Sequence, residues 1–201
     1  DKNPLISNRG NIILGRNSAG VDKADTSVGI AVMEDSTIST NVFIGNNHVK
    51  NNGIIEIRDN VNESIGMYLN IKGGNNLIND TDGKILLSGT GNNNSGMRAD
   101  IGIINPTNDN NPAGTAVVIN RGIINIDTVG ASENFAMISN GAGTSAVNEK
   151  TITGTNNEKA VGMYSLKGGT VEQTLTGSIN FSGYNSTGFA VQNLSTGKNS
   201  G

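Results

Sequence analysis

The sequence predicts an all-β fold, a right-handed parallel β-helix (a solenoid) of about six coils, on three observations. A degenerate unit recurs along the whole chain, with a mean spacing of about 32 residues between its marker positions, within the range of solenoid repeats. Each unit holds two runs in which apolar residues alternate with mixed ones, the period of a strand with one buried face. No stretch sustains apolar residues at i, i+3, i+4 and i+7, and asparagine, glycine and β-branched residues are poor helix formers, so helix-containing repeats are excluded.

The first strand of each unit follows a turn glycine, in Asn8-Arg9-Gly10, Asn51-Asn52-Gly53, Thr81-Asp82-Gly83, Asn120-Arg121-Gly122 and Leu175-Thr176-Gly177, with Asn148 at a degenerate equivalent. Two and four residues on come the pairs Ile12 and Leu14, Ile55 and Ile57, Ile85 and Leu87, Ile124 and Ile126, Lys150 and Ile152, and Ile179 and Phe181. Only Lys150 breaks the row. The second strand carries a small residue followed by an apolar one: Gly29-Ile30, Gly66-Met67, Gly96-Met97, Ala136-Met137, Gly162-Met163 and Gly188-Phe189. Strict alternation then points Val28/Ile30/Val32, Ile65/Met67/Leu69, Ser95/Met97/Ala99, Phe135/Met137/Ser139, Val161/Met163/Ser165 and Thr187/Phe189/Val191 inward. A weaker third strand is expected at Leu77-Ile78 and Val117-Val118-Ile119. Two clear strands and a weak one in about 32 residues fit one coil of a parallel β-helix better than a four-stranded propeller blade of about 40–45 residues. The chain thus reads as a single β-helix segment, 1–201, with a polar insertion at about 100–115 stiffened by Pro106 and Pro112, which is one of two places where a partner contact is expected.

Composition agrees. With 28 Gly, asparagine at least as abundant, no Cys, no Trp and 3% aromatic residues, the chain is rich in turn formers and poor in bulky core residues. A hydrophobic fraction of 34% and a net charge of -3 sit on the folded side of the balance. Fourteen basic and 17 acidic residues, evenly scattered, offer no basic stripe for a phosphate backbone, so no nucleic-acid partner is expected. The longest apolar runs, such as Ala116-Val117-Val118-Ile119, fall far short of the roughly 20 residues of a membrane span, so no direct membrane insertion by this segment is expected. Asp1-Lys2-Asn3-Pro4 lacks a signal-peptide core, which leaves a mature protein or a piece of a longer one. Absence of cysteine fits a cytosolic protein or one that crosses an oxidising periplasm unfolded.

The recurring Gly66-Met67-Tyr68, Gly162-Met163-Tyr164 and Asn120-Arg121-Gly122-Ile123-Ile124 pieces resemble the passenger repeats of large type V autotransporter adhesins, particularly the fusobacterial outer-membrane family, over nearly the whole chain. That resemblance implies export through the periplasm and display at the cell surface by a C-terminal outer-membrane barrel. It also implies adhesion to a host-cell or bacterial surface protein or glycan, and gives the absence of cysteine a reason.

Candidate chemistry is sparse, and no catalytic residue, cofactor or metal site is expected. The sole histidine, His48, has no cysteine or second histidine to share a zinc ion, and no Gly-x-Ser-x-Gly elbow supports a Ser-His-Asp triad. Because polysaccharide lyases and glycosidases also use β-helices, such an enzyme is the alternative reading. Its carboxylate candidates are Asp22/Asp25, Glu34/Asp35, Asp59/Glu63, Asp80/Asp82 and Asp109 with Asp127, all but the last pair local in sequence. Asn79-Asp80-Thr81-Asp82-Gly83 could hold an ion loosely, but reads as a turn with Asx hydrogen bonds. A partner-binding strip is more specific. With the methionines inward, Tyr68, Arg98, Ile138 and Tyr164 point outward with Ala31 and Ala190, beside the column of small residues; Tyr and Arg are interface anchors. The competing reading has glycine admitting a covering loop that the tyrosines help to pack.

Overall fold

The computed structural model describes residues 6–15, 25–33, 49–70, 76–100, 116–130 and 133–201. His48, the insertion at 101–115 and the carboxylates of Asp22, Glu34, Asp35 and Asp109 lie outside them.

The described residues form 19 strands and no helix. Every strand pairing is parallel and joins a strand to the one three places away, so the chain winds through three sheets in turn. It is a parallel β-helix of six coils, and the last strand begins a further rung. The first sheet is β1 (Ile6–Asn8), β4 (Val49–Asn51), β7 (Asn76–Asn79), β10 (Ala116–Asn120), β13 (Thr144–Asn148), β16 (Thr170–Gln173) and β19 (Thr196–Asn199). The second is β2 (Asn11–Leu14), β5 (Ile54–Ile57), β8 (Lys84–Gly89), β11 (Ile123–Thr128), β14 (Thr151–Gly154) and β17 (Ser178–Phe181). The third is β3 (Val28–Met33), β6 (Ile65–Asn70), β9 (Ser95–Asp100), β12 (Asn134–Asn140), β15 (Ala160–Leu166) and β18 (Thr187–Val191). The two strands clear in the sequence are those of the second and third sheets, and the weak third strand is the first sheet.

The core is a set of aliphatic ladders, because identical positions stack about 4.8 Å apart when parallel coils pair in register. In the second sheet Ile12, Ile55, Ile85, Ile124, Ile152 and Ile179 form one unbroken column. The sequence reading is corrected here in the fifth coil. Asn120 pairs with Asn148, so Lys150 stands at the place of Gly122 and Ile152 belongs to the first apolar row, with Gly154 in the second. The lysine has a visible effect: the Thr151 N–H reaches the Gly122 carbonyl at 3.4 Å, whereas Ile54, Lys84 and Ile123 make the same bond to the preceding coil at 2.9–3.0 Å. A Cβ on Gly122 would lie 2.1 Å from the Gly83 carbonyl oxygen, so a side chain at this corner pushes the coils apart.

The third sheet corrects the alternation. A Cβ on Gly66 would meet the Cγ2 atoms of Ile85 and Ile55 at 3.1 and 3.5 Å, and Gly29, Gly96 and Gly162 face core isoleucines likewise. Met67, next in sequence, is also fully buried in the core cluster. Two successive residues therefore face inward, and the column of small residues is the inner lining of the sheet. The preceding residues turn outward: Ile65, Phe135 and Val161 are half-buried, and the Phe135 ring stacks on Tyr164 with centroids 5.3 Å apart. Glycine is used because the space its side chain would fill holds the next coil's backbone oxygen, 2.6–2.8 Å from the ideal Cβ.

An asparagine ladder closes the corner between the first and second sheets. Asn8, Asn51, Asn79, Asn120 and Asn148 occupy one position in five successive coils. The Nδ2 of each of the first four donates to the next coil's Oδ1, at 2.8, 2.8, 2.8 and 2.9 Å in turn, and Asn148 Nδ2 donates to the Ser178 carbonyl of the sixth coil at 3.2 Å. The same amides also reach backbone carbonyls at the start of the second sheet, such as Gly53 and Ile123. All but Asn8 are fully buried, so the ladder satisfies polar groups that the interior would otherwise penalise. The third and sixth coils insert two residues between this position and the turn glycine, as in Asp80-Thr81-Asp82.

Candidate functional site

Tyr68, Arg98, Ile138 and Tyr164 do lie in one row of the third sheet, paired in register from Ala31 through to Ala190. The strip they form differs from the expected one, because the small residues beside them line the core. Its outer face is made of the row itself, Phe135, and a second outward row of Asn70, Asp100 and Asn140. Ile138 is buried, Tyr68, Arg98 and Tyr164 are partly exposed, and Ala31 is exposed.

Asp100 organises the polar half of the strip. Its Oδ2 accepts from the Tyr68 hydroxyl at 2.9 Å, its Oδ1 accepts from Arg98 Nε at 2.9 Å, and the same Oδ1 accepts from Asn140 Nδ2 at 2.9 Å. These bonds span three coils. Burial, then the charge of Asp100 and its hydrogen bond, push the Tyr68 hydroxyl up to about 12, against an opposing pull from Arg98. Tyr68 thus stays a neutral donor across the physiological range. Sequence reasoning missed Asp100, although it stands two residues beyond Arg98 on the same face of the strand, the one signal that pointed to it. Asn70 Oδ1 and Asn140 Oδ1, on either side of it, are buried and find no hydrogen-bond partner among the described residues.

The aromatic half pairs Phe135 with Tyr164, whose planes lie 21° apart, and the Tyr164 hydroxyl donates to Gln192 Oε1 at 2.7 Å. Both tyrosine hydroxyls are therefore engaged within the chain. What the strip offers outward is ring surface and a guanidinium held by Asp100.

Carboxylates elsewhere join coils. Lys50 Nζ meets Asp80 Oδ2 at 3.0 Å, Arg121 Nε meets Glu149 Oε2 at 2.9 Å, and Asp25 Oδ1 accepts from the Asn62 N–H at 2.7 Å. Asp127 Oδ1 accepts from the Asn156 N–H at 2.8 Å and from the Thr155 hydroxyl at 3.0 Å, capping the turn of the next coil. The Asn156 N–H in first place holds the Asp127 carboxyl below its usual range, against its burial and helped by Thr155. Burial alone would raise Asp80, but Lys50 and the Thr81 N–H together hold it low. Asn79 gives its amide to the ladder and Asp80 its carboxylate to Lys50, so the Asn79–Gly83 turn is a structural turn. Among the described residues no group of three or more His, Asp or Glu side chains could hold a metal ion. A shallow surface hollow of about 340 Å³ lies at the corner of Asp59, Asn60, Gly89 and Thr90.

Comparison of the chain with protein-family models, with curated proteins and with solved structures finds no match.

Proposed function

We propose that this chain is a non-enzymatic segment of a cell-surface adhesin, a rigid β-helical stalk displayed outside the outer membrane that presents surfaces for attachment to host cells or other bacteria. The observation that supports it is where the polar side chains go. Asparagines, carboxylates and their cationic partners reach from one coil to the next, so their bonding builds length and stiffness along an axis. A glycosidase needs two carboxylates facing one bond about 5–10 Å apart in a cleft, and these carboxylates are spread along the rod as joints. Display and attachment come from the resemblance of the Gly-Met-Tyr and Asn-x-Gly-Ile-Ile pieces to autotransporter passengers. Within this reading the partner is a surface protein or glycan, and the contact falls on the partly exposed Tyr68, Arg98 and Tyr164, with Ile138 buried in the row between Arg98 and Tyr164.

The test is binding of the folded chain to host-cell and bacterial surfaces and to a glycan array, repeated with Tyr164→Ser. Its ring is on the outer face, so the fold should survive while binding weakens by more than about tenfold, or about 1.4 kcal/mol. Full binding by the folded variant would remove the strip from the proposal. Shortening of any polysaccharide on incubation with the chain would overturn the non-enzymatic reading.

A further inference from the structure

Four of the five methionines, Met67, Met97, Met137 and Met163, stack on consecutive coils as one interior column. Ile30 stands at one end of the column and Phe189 at the other. All four are at 0% exposure within the aliphatic core cluster, whereas Met33 is 62% exposed. We propose that this column makes the chain's folding sensitive to oxidants: a coiled chain is resistant, while a chain oxidised before it coils is barred from folding.

The chemistry needs only a peroxide. The thioether sulfur attacks one oxygen of hydrogen peroxide, the O–O bond breaks, sulfur gains an oxygen as a sulfoxide and the peroxide leaves as water. In the folded chain the four sulfurs are out of reach, so the reaction waits on local opening of a coil. In the uncoiled chain they react as freely as Met33. A sulfoxide is a strong hydrogen-bond acceptor with no hydrogen of its own, and the core cluster to which the column belongs is made of apolar side chains that cannot donate. Four such groups would fall on four neighbouring coils, and a solenoid holds together through contacts between neighbours. The inward-facing glycine beside each of Met67, Met97 and Met163 leaves no slack, because its side-chain space holds backbone oxygen. The two sulfoxide reductases, one for each sulfoxide epimer, acting on the uncoiled chain with a thiol reductant reverse the block. Oxidant sensitivity of this kind is independent of what the chain binds.

The experiment compares peroxide treatment of the native chain with treatment in urea followed by dilution. In the native chain, peptide mass spectrometry should show Met33 oxidised first and the four column residues lagging by more than about tenfold in rate. The chain oxidised in urea should fail to regain its far-ultraviolet β signal and protease resistance, and the two methionine sulfoxide reductases, one for each sulfoxide epimer, with a thiol reductant should restore both. The variant with all four column residues changed to leucine should refold after the same treatment; the reductase arm decides the matter if that variant does not fold. Refolding of the fully oxidised wild-type chain with an unchanged urea midpoint would overturn the proposal. Oxidation of the column at the rate of Met33 in the native chain would do so as well.

Discussion

Truncating Asn79 to alanine removes the middle amide of the ladder, and its cost follows from which atoms are left alone. Asn79 Oδ1 accepts from Asn51 Nδ2 and its Nδ2 donates to Asn120 Oδ1, both at 2.8 Å and both buried. After truncation Asn51 Nδ2 still has the Gly53 and Lys84 carbonyls, at 3.2 and 3.4 Å, and the donor is partly satisfied. Asn120 Oδ1 loses its ladder donor in a buried corner. Two hydrogen bonds at about 1 kcal/mol each and one stranded acceptor at about 1–3 kcal/mol put the loss near 3–5 kcal/mol. Asn8→Ala removes a single ladder bond at a half-buried end, where Asn51 Oδ1 keeps the Gly53 N–H, and should cost about 1 kcal/mol. Urea unfolding followed by circular dichroism measures both, provided the slopes agree with wild type. If Asn79→Ala loses no more than Asn8→Ala, the buried ladder bonds contribute nothing beyond a half-buried one and the ladder is not a source of stability.

Other outcomes follow from the same geometry. Gly66→Val should destabilise by more than about 3 kcal/mol, since its branches meet the Gly96 oxygen and two core isoleucines, while Gly188→Ala, with open space around its Cβ, should leave the melting temperature unchanged. Phe135→Leu and Tyr164→Leu, combined in a double-mutant cycle, should give a coupling of about 0.5–1.5 kcal/mol, and a coupling of zero would deny the stack. The folded carboxyls of Asp80 and Asp127 are held below their unfolded values. Their stabilisation is therefore complete above about pH 4 and drains as pH falls through the folded values. Stability measured from about pH 5 downward should fall less steeply in Asp80→Asn and Asp127→Asn than in wild type. Parallel acid limbs would contradict that assignment.

The architecture was legible because a parallel coil repeats its demands: Ile55, Ile85 and Ile124 announce a column by recurring after the same turn, with no knowledge of the loops between them. The register of the fifth coil was misread because glycine was taken as the anchor. The better marker is the ladder position, with an apolar residue two places before it in Ile6/Asn8, Val49/Asn51, Leu77/Asn79, Val118/Asn120 and Ala146/Asn148. Alignment on that pair corrects the shift at Lys150 and exposes the ladder. Alternation failed at Gly66 and Gly96 for a different reason. A period of two assumes an unbroken pleat, and two consecutive inward residues break it, which sent Phe135 to the wrong side. The row of Tyr68, Arg98, Ile138 and Tyr164 was found because it lies beyond that break, in phase with the methionines. Asp100 and its ties to Tyr68 and Asn140 required knowing which residues face each other across coils, information that spacing alone carries poorly when loops vary.

The asparagine ladder also gives the rod a direction. Every amide points its nitrogen toward the later coil and its oxygen toward the earlier one, so the two ends of a growing stack are chemically unlike. A coil that has just docked leaves an amide N–H waiting for the next oxygen, and each bond polarises the one behind it. Assembly then resembles a zip fastener whose slider has a preferred travel. A chain that emerges one end first would lay down its coils in order, each finished rung serving as the mould for the next.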